Sequence, residues 1–358
     1  MFLPVLLVRD YGVWGWVVFA VPNVIGAAAM GWVLRDWMRS VRIMAAHAHA
    51  CIAFTLVTVA FQVYFLEWWV RPLGGWTYAS VALAVLVALV LAVPTWGSLW
   101  AGWATFAFST VVAALFLSSH PPSPPAVTTH AAWPDLLFLA PVSALGFLLC
   151  PYLDLTFHEA RFMTLSRGAA RAAFTVGFGV FFLAMILFTL GYAGFAVSPE
   201  PGRLATLVAL HMSVQLAFTV LVHFLALRVH PPPPVLHHRV LAAIAAGATG
   251  AVLGALVHRL PAYHGISAGE IGYRLFMACY GLIFPAYVWL CMLGSPAESP
   301  SRRGWIVLAV TVVLASPLYW LGFIEQRTIW LVPGIAIVLL AKLASGQNSG
   351  RRAAEVAA

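Results

Sequence analysis

Charged residues are scarce in this sequence of 358 residues: only 8% are Asp, Glu, Lys or Arg, whereas 63% are hydrophobic. The mean hydropathy is +0.94. Soluble globular domains carry about 25% charged residues, so this composition excludes a soluble fold. The chain is therefore predicted to be an all-α, polytopic membrane protein that is surrounded by the lipid bilayer.

Motifs for metal binding, haem attachment and phosphate binding are also missing. The sequence has no Cys-x-x-Cys-His, no His-Glu-x-x-His and no phosphate-binding glycine loop. The four cysteines, Cys51, Cys150, Cys279 and Cys291, lie in apolar runs, and we interpret them as small buried hydrophobic residues. The formal net charge of +8 comes with arginines in short loops between apolar runs, so no nucleic-acid partner is expected. These observations predict no soluble catalytic domain, no enzyme activity and no cofactor.

Apolar runs of about twenty residues predict eleven transmembrane helices. The predicted ranges are 11–34, 43–66, 77–94, 97–117, 134–153, 171–194, 204–228, 238–258, 270–293, 304–322 and 328–344. They form a single transmembrane domain over residues 1–344. The small and polar residues 345–358 are predicted to be a disordered cytoplasmic tail.

The Lys and Arg residues are distributed unevenly between the two sets of loops. With alternate loops on opposite sides of the membrane, thirteen of the nineteen fall on one side. The six on the other side are Arg9, Arg71, Arg203, Arg259, Arg274 and Arg327. The positive-inside rule places the larger set in the cytoplasm. We therefore expect a multi-pass protein of a bacterial inner membrane, with the N-terminus outside and the C-terminus in the cytoplasm.

The stretch from Phe138 to Gly194 organises the sequence. An apolar run that carries Pro141, Gly146 and Pro151 ends in a short charged segment, and a second long apolar run follows. Proline removes a backbone donor and clashes with the preceding turn, so the first of these two helices is predicted to be broken. In lipid such a break persists only where it is buried in protein or lines a cavity. The stretch therefore predicts a solute pathway.

The charged segment carries a resemblance to a known family. Residues 154–158 (DLTFH), followed by residues 166–169 (SRGA) and a helix that contains Gly177 and Gly179, resemble a motif of the LeuT-fold (APC) superfamily of cation-coupled permeases. The nearest branches are the nucleobase–cation symporters (purine/cytosine permeases) and the sodium:solute symporters. In the nucleobase branch the motif follows the sixth core helix. Asp154 and Thr156 match it, whereas Phe157 stands where the family has Arg, and Arg161 is close by.

The resemblance implies a LeuT-like inverted-repeat bundle and transport of a small organic solute by alternating access. The motif follows the fifth predicted helix, so only four helices precede that helix where the family has five. We therefore expect residues 11–34 to correspond to the second core helix, the first core helix to be missing, and the apolar residues 2–8 to be its outer end. A sodium site is not expected, because the seventh predicted helix lacks the adjacent hydroxyl groups of the sodium-coupled members.

Polar side chains inside membrane spans are candidates for substrate binding. Gln62 and Gln215 would lie on two helices that supply substrate-binding amides in the resembled nucleobase branch. Asn23, beside Pro22, and Ser143, near the predicted break, complete the substrate-side set. The alternative for Asn23 is that its helix presents a small-residue packing face at Gly26, and the alternative for the glutamines is hydrogen bonding between helices.

Asp154, His158 and Arg161 are spaced so that one face of a helix can hold all three. Because His titrates near neutral pH, this group is predicted to form a cytoplasmic gate that responds to a coupling proton. The alternative is an interfacial salt bridge that only fixes the loop.

Two other functions stay open at this point. His47, His49, His211 and His223 lie in or beside predicted spans, and a pair of them from different helices would suit haem or metal in a redox subunit. A third hypothesis is a transport-inactive sensor or scaffold that binds its ligand without moving it.

Overall fold

A computed structural model describes residues 2–74, 97–120, 133–197, 199–229, 236–294 and 296–345. In these ranges the chain is helical and has no β-strand beyond one isolated bridge between Tyr263 and Ile266. Nine of the described helices are long and apolar enough to cross a membrane, and a shorter apolar helix spans Thr328–Ala344. The prediction of an all-α, multi-pass membrane bundle is confirmed at this level.

The helices of the described ranges are numbered in chain order. Their bounds are α1 Leu3–Tyr11, α2 Val13–Val33, α3 Trp37–Ala46, α4 Ala48–Phe65, α5 Gly97–Ser119, α6 Trp133–Leu149, α7 Leu155–Phe162, α8 Arg167–Val176, α9 Leu183–Val197, α10 Arg203–Val229, α11 Leu236–Leu256, α12 Ala268–Ala278, α13 Phe284–Tyr287, α14 Arg302–Phe323 and α15 Leu331–Ala344. Widened π-helical turns extend α4 through Leu66–Val70, join α8 to α9 through Gly177–Phe182, and flank α13 at Cys279–Ile283 and Val288–Met292.

The predicted spans that fall within the described ranges agree with these helices to within a few residues, except for the span 43–66. The predicted helix 77–94 lies outside the described residues, as does the predicted tail from residue 346 onwards. The predicted span 43–66 is divided at His47 into α3 and α4. Residues 2–8 were predicted to be the outer end of a missing helix, and all of them except Phe2 lie in the short helix α1, which contains the fully buried Val5.

The predicted break in the fifth span is wrong. Helix α6 continues without interruption through Pro141 and Gly146, and it tightens only at its end, in a 3-10 turn over Cys150–Tyr152. Proline is tolerated inside a membrane helix where neighbouring groups or local adjustments satisfy the freed carbonyl. The irregular backbone lies elsewhere, in the π-helical turns of three other spans.

Glycines set the closest contacts between helices. A methyl group at Gly26 of α2 would overlap the carbonyl oxygen of Phe147 on α6, and one at Gly250 of α11 would overlap the carbonyl oxygen of Ala60 on α4. Small residues that let two backbones approach are typical of membrane interfaces. The packing face proposed for Gly26 is therefore present in the structure.

Candidate functional site

The elbow between α6 and α8 is built on Asp154. Asp154 is the N-cap of α7, and its Oδ1 accepts hydrogen bonds from the backbone N–H of Thr156 at 2.9 Å and from the Thr156 hydroxyl at 2.7 Å. A carboxylate in this position satisfies a free N–H at the start of a helix and interacts favourably with its dipole. The capping role explains why the chain turns into α7 at this residue.

His158 and Arg161 connect α7 to two other elements. The Nδ1 atom of His158 lies 2.9 Å from the Ser40 hydroxyl of α3, and its side chain is fully buried. Arg161 donates from Nε to the carbonyl oxygen of Leu34 at 2.9 Å and from a terminal nitrogen to the carbonyl oxygen of Arg35 at 3.3 Å. Arg161 therefore caps the C-terminal end of α2, where cationic side chains are favourable.

The three predicted gate residues share α7 but contact different partners. In the described part of the chain Asp154 makes no ion pair with Arg161. The nearest titratable partner of Asp154 is His223 of α10, whose Nδ1 lies 3.9 Å from Asp154 Oδ1. His223 is 3% exposed, and its Nδ1 makes no hydrogen bond within the described residues. A proton on His223 would turn this contact into a buried ion pair.

A cavity of about 420 Å³ lies beside this pair. It is lined by residues of α5, α7, α10 and the π-helical turn between α8 and α9, together with Met163 at the C-terminal end of α7. The lining residues are Ser98, Leu99, Gly102, Trp103, Phe106, Thr156, Glu159, Ala160, Met163, Gly177, Phe181, Phe218, Val222 and Leu225. Thr156 connects the cavity to the Asp154 carboxylate, and Val222 precedes His223 in the sequence.

The walls of the cavity are mainly aromatic and aliphatic. Phe181 lies edge-to-face against Trp103, with ring centroids 5.2 Å apart, and against Phe106, with centroids 4.9 Å apart. A largely apolar concave site with a few polar groups is the usual form of a small-molecule site. Its polar lining in the described residues comes from Ser98, Thr156 and Glu159.

The four predicted substrate-side residues do not line this cavity. Asn23 lies on α2, Gln62 on α4 and Ser143 on α6, each partly buried. Gln215 of α10 donates a 2.9 Å hydrogen bond to the Ser109 hydroxyl of α5, and it lies one turn before Phe218. Gln215 therefore makes the contact between helices that the sequence also allowed. A role in substrate binding stays a prediction for all four residues.

The intramembrane histidines have separate surroundings. His47 Nδ1 lies 2.8 Å from the Tyr287 hydroxyl, and the His211 ring packs against Phe188 and Tyr192. Among the described residues no three His, Cys, Asp or Glu side chains come together as a metal site would require.

A buried ionic network at the other end of the bundle was missed in the sequence. Arg9 makes a bidentate contact with Glu270, at 2.8 and 2.7 Å, and its Nε donates to Asp10 at 2.7 Å. Arg274 donates to Glu270 Oε1 at 2.6 Å and to Asp10 Oδ2 at 2.9 Å. Burial by itself would lower the pKa of Arg9, but the contacts with Glu270 and Asp10 raise it overall. Arg9 therefore stays charged.

The two ends of the bundle are separated by α2. Its first residue, Val13, follows the ionic network at Arg9 and Asp10, and its last residue, Val33, precedes the carbonyl oxygens that Arg161 binds. Arg9 and Arg274 therefore lie at one end of the bundle and Arg35 and Arg161 at the other, as the two predicted loop sets require.

Comparison of the chain with protein-family models, with curated proteins and with solved structures finds no match.

Proposed function

We propose that this integral membrane protein is a secondary transporter for a small organic solute, with the N-terminus outside and the C-terminus in the cytoplasm. The observation that carries the proposal is the 420 Å³ cavity between α5, α7 and α10, which adjoins the buried Asp154–His223 pair. Intramembrane ionisable groups are expensive and commonly mark substrate or proton pathways. Thr156 lines the cavity and also binds Asp154, so the cavity and the titratable pair meet at this turn. Proton-coupled transport requires both a site for the solute and a group that takes up and releases a proton.

Asp154, His158 and Arg161 form the gate in this proposal. Asp154 faces His223, while His158 and Arg161 attach the same short helix to α3 and to the end of α2. A change in the charge of His223 would alter its attraction to Asp154 and thereby bias the position of α7. The LeuT-like arrangement and its alternating access supply the movement of one helix bundle against another.

The cavity is tested with a matched pair of glycine variants. A methyl group at either Gly177 or Gly179 would meet no atom within 4 Å, and both residues belong to the same π-helical turn, but only Gly177 lines the cavity. Gly177→Leu places a side chain inside the cavity, whereas Gly179→Leu adds the same side chain outside its lining. Both variants and the unmodified protein are purified and screened by thermal unfolding against amino acids, nucleobases, carboxylates and organic amines.

A ligand that binds the folded protein raises its unfolding temperature. We expect at least one compound to do so for the unmodified protein and for Gly179→Leu, with the shift lost in Gly177→Leu. The same compound, radiolabelled, is then tested for uptake into proteoliposomes with and without an imposed pH gradient. We expect uptake to be at least about tenfold lower for Gly177→Leu, because the added side chain clashes with the solute.

Two results would contradict parts of this proposal. If a compound binds but no uptake is measured under either condition, the protein is a sensor or scaffold. If Gly177→Leu binds and transports like Gly179→Leu, the cavity is not the solute site.

A further inference from the structure

We infer that the solute held by this cavity is an organic cation with apolar or aromatic substituents. The inference rests on the proposed function, because it names the chemical class of solute for the same cavity. It is carried by the aromatic rings, the acidic side chain and the helix end that line the cavity together.

Three rings form an aromatic corner, defined as Trp103, Phe106 and Phe181. The Phe181 ring stands at an interplanar angle of 81° to Trp103 and 85° to Phe106. Rings at right angles offer a ligand a face of one ring and an edge of another. The face of an aromatic ring carries negative charge density and attracts a cation that lies within about 6 Å of its centre. Phe218 adds a fourth ring to the wall.

The ionisable side chain in the wall is acidic. Glu159 is the acidic residue of the lining, and among the described lining residues none is Lys or Arg. Ala160 and Met163, at the C-terminal end of α7, also line the cavity. The C-terminal end of a helix carries a partial negative charge, which favours a cation nearby. The carboxylate and the helix end therefore act in the same direction.

The basic side chain nearest in sequence is bound elsewhere. Arg161 belongs to the last turn of α7, but its guanidinium donates to the Leu34 and Arg35 carbonyl oxygens and to the hydroxyl of Thr164. Arg161 satisfies the backbone at the end of α2, and it is not part of the cavity wall. An apolar cavity of about 420 Å³ with this charge distribution suits a substituted ammonium ion better than a neutral or anionic solute.

The test uses benzyltrimethylammonium and its uncharged isostere 2,2-dimethylpropylbenzene, in which carbon replaces nitrogen. Binding of the cation to the full-length protein is measured by titration calorimetry in a maltoside detergent, whose head group carries no charge. The isostere is tested as a competitor. We expect the cation to bind at least about tenfold more tightly than the isostere, because the attraction of a desolvated cation to aromatic rings is absent for the neutral compound.

Two matched pairs of variants locate the effect. Phe181→Leu removes a ring of the aromatic corner, whereas Phe178→Leu alters the same π-helical turn at a ring that stacks on Phe157 away from the cavity lining. We expect Phe181→Leu to weaken cation binding about fivefold and Phe178→Leu to leave it unchanged. Glu159→Gln is expected to weaken it about fivefold, and the exposed Glu200→Gln is its control.

The outcomes separate this inference from the proposed function. If the isostere binds as tightly as the cation, and Gly177→Leu abolishes both, the cavity is a ligand site but the cationic class is wrong. If Gly177→Leu leaves binding of both probes unchanged, the cavity is not the site and the proposed function fails with it. A short-chain phosphatidylcholine is added in a final arm. If this lipid displaces the probe at a lower concentration than free choline does, the cationic class is supported. The cation is then assigned to a lipid head group.

Discussion

The ionic network of Arg9, Asp10, Glu270 and Arg274 gives a quantitative test of the packing between α1 and α12. The four side chains are 20%, 6%, 11% and 13% exposed, so they belong to the class of buried ion pairs. Their formal charges cancel. Glu270→Gln removes one negative charge and leaves two guanidinium groups that share only Asp10. Breaking a buried pair in this way costs about 3–5 kcal/mol of the free energy of unfolding.

The assay is equilibrium unfolding in mixed micelles with an increasing fraction of dodecyl sulfate, followed by tryptophan fluorescence. Glu67→Gln is the matched control, because Glu67 accepts one 3.1 Å contact from Arg71, whose side chain is 47% exposed. An ion pair with a solvated partner contributes about 1 kcal/mol or less. The double variant Arg9→Met with Glu270→Gln restores charge balance by leaving the pair of Asp10 and Arg274. We expect it to be less destabilised than the sum of the two single variants by at least about 1 kcal/mol.

Two results would refute this reasoning. One is a Glu270→Gln variant that is no less stable than Glu67→Gln, which would mean that the network contributes no more than the single pair of Glu67 with the half-exposed Arg71. The other is strict additivity in the double variant, which would mean that Arg9 and Glu270 do not interact in the folded protein.

Two further predictions concern helix packing and helix ends. Gly250→Ala should destabilise the contact between α4 and α11 by about 1–3 kcal/mol, because its methyl group overlaps the Ala60 carbonyl oxygen. Gly247→Ala is the control and should change stability by less, because its methyl group would lie 3.6 Å from the Val59 side chain. Equal unfolding midpoints of the two variants in dodecyl sulfate would contradict this prediction. Ser301→Ala removes the N-cap of α14, where the hydroxyl accepts a hydrogen bond from the Gly304 N–H at 3.1 Å, and should lower the free energy of unfolding by about 1 kcal/mol. Ser316→Ala, on an exposed face of the same helix, should leave it nearly unchanged. Both variants are measured in the same unfolding assay, and a larger loss of stability at Ser316 would contradict the capping argument.

Some features of the fold could be predicted because they depend only on neighbouring residues. The predicted span 97–117 and the helix Gly97–Ser119 nearly coincide, since an apolar run of that length can satisfy its backbone in lipid only as a helix. The end of the predicted span 134–153 also agrees with the structure to within a few residues, because the apolar run stops at the charged segment. The break predicted at Pro141 was wrong, and α6 runs through this residue without interruption. The prediction used only the local effect of proline on the helix backbone, whereas neighbouring groups in the bundle can compensate for the lost hydrogen bond.

The candidate site was only partly visible in the sequence. Asp154 was identified, but its nearest titratable partner proved to be His223, sixty-nine positions away, rather than a neighbour on α7. Glu270 and Arg274 were missed, although their spacing of four residues is compatible with a pair on one helix turn. Nothing in that spacing indicated Arg9, which is 261 positions from Glu270. The aromatic corner likewise depends on two helices whose rings are separated by more than seventy positions.

The sequence by itself determined that this protein crosses a membrane as a bundle of helices, because hydropathy and backbone hydrogen bonding in lipid act along the chain. The tertiary structure alone decided which polar groups meet. Helix rotation and the close contacts at Gly26 and Gly250 set which face of each helix turns toward a neighbour. The Asp154–His223 pair and the ionic network each join residues that are far apart in the sequence and share no local pattern.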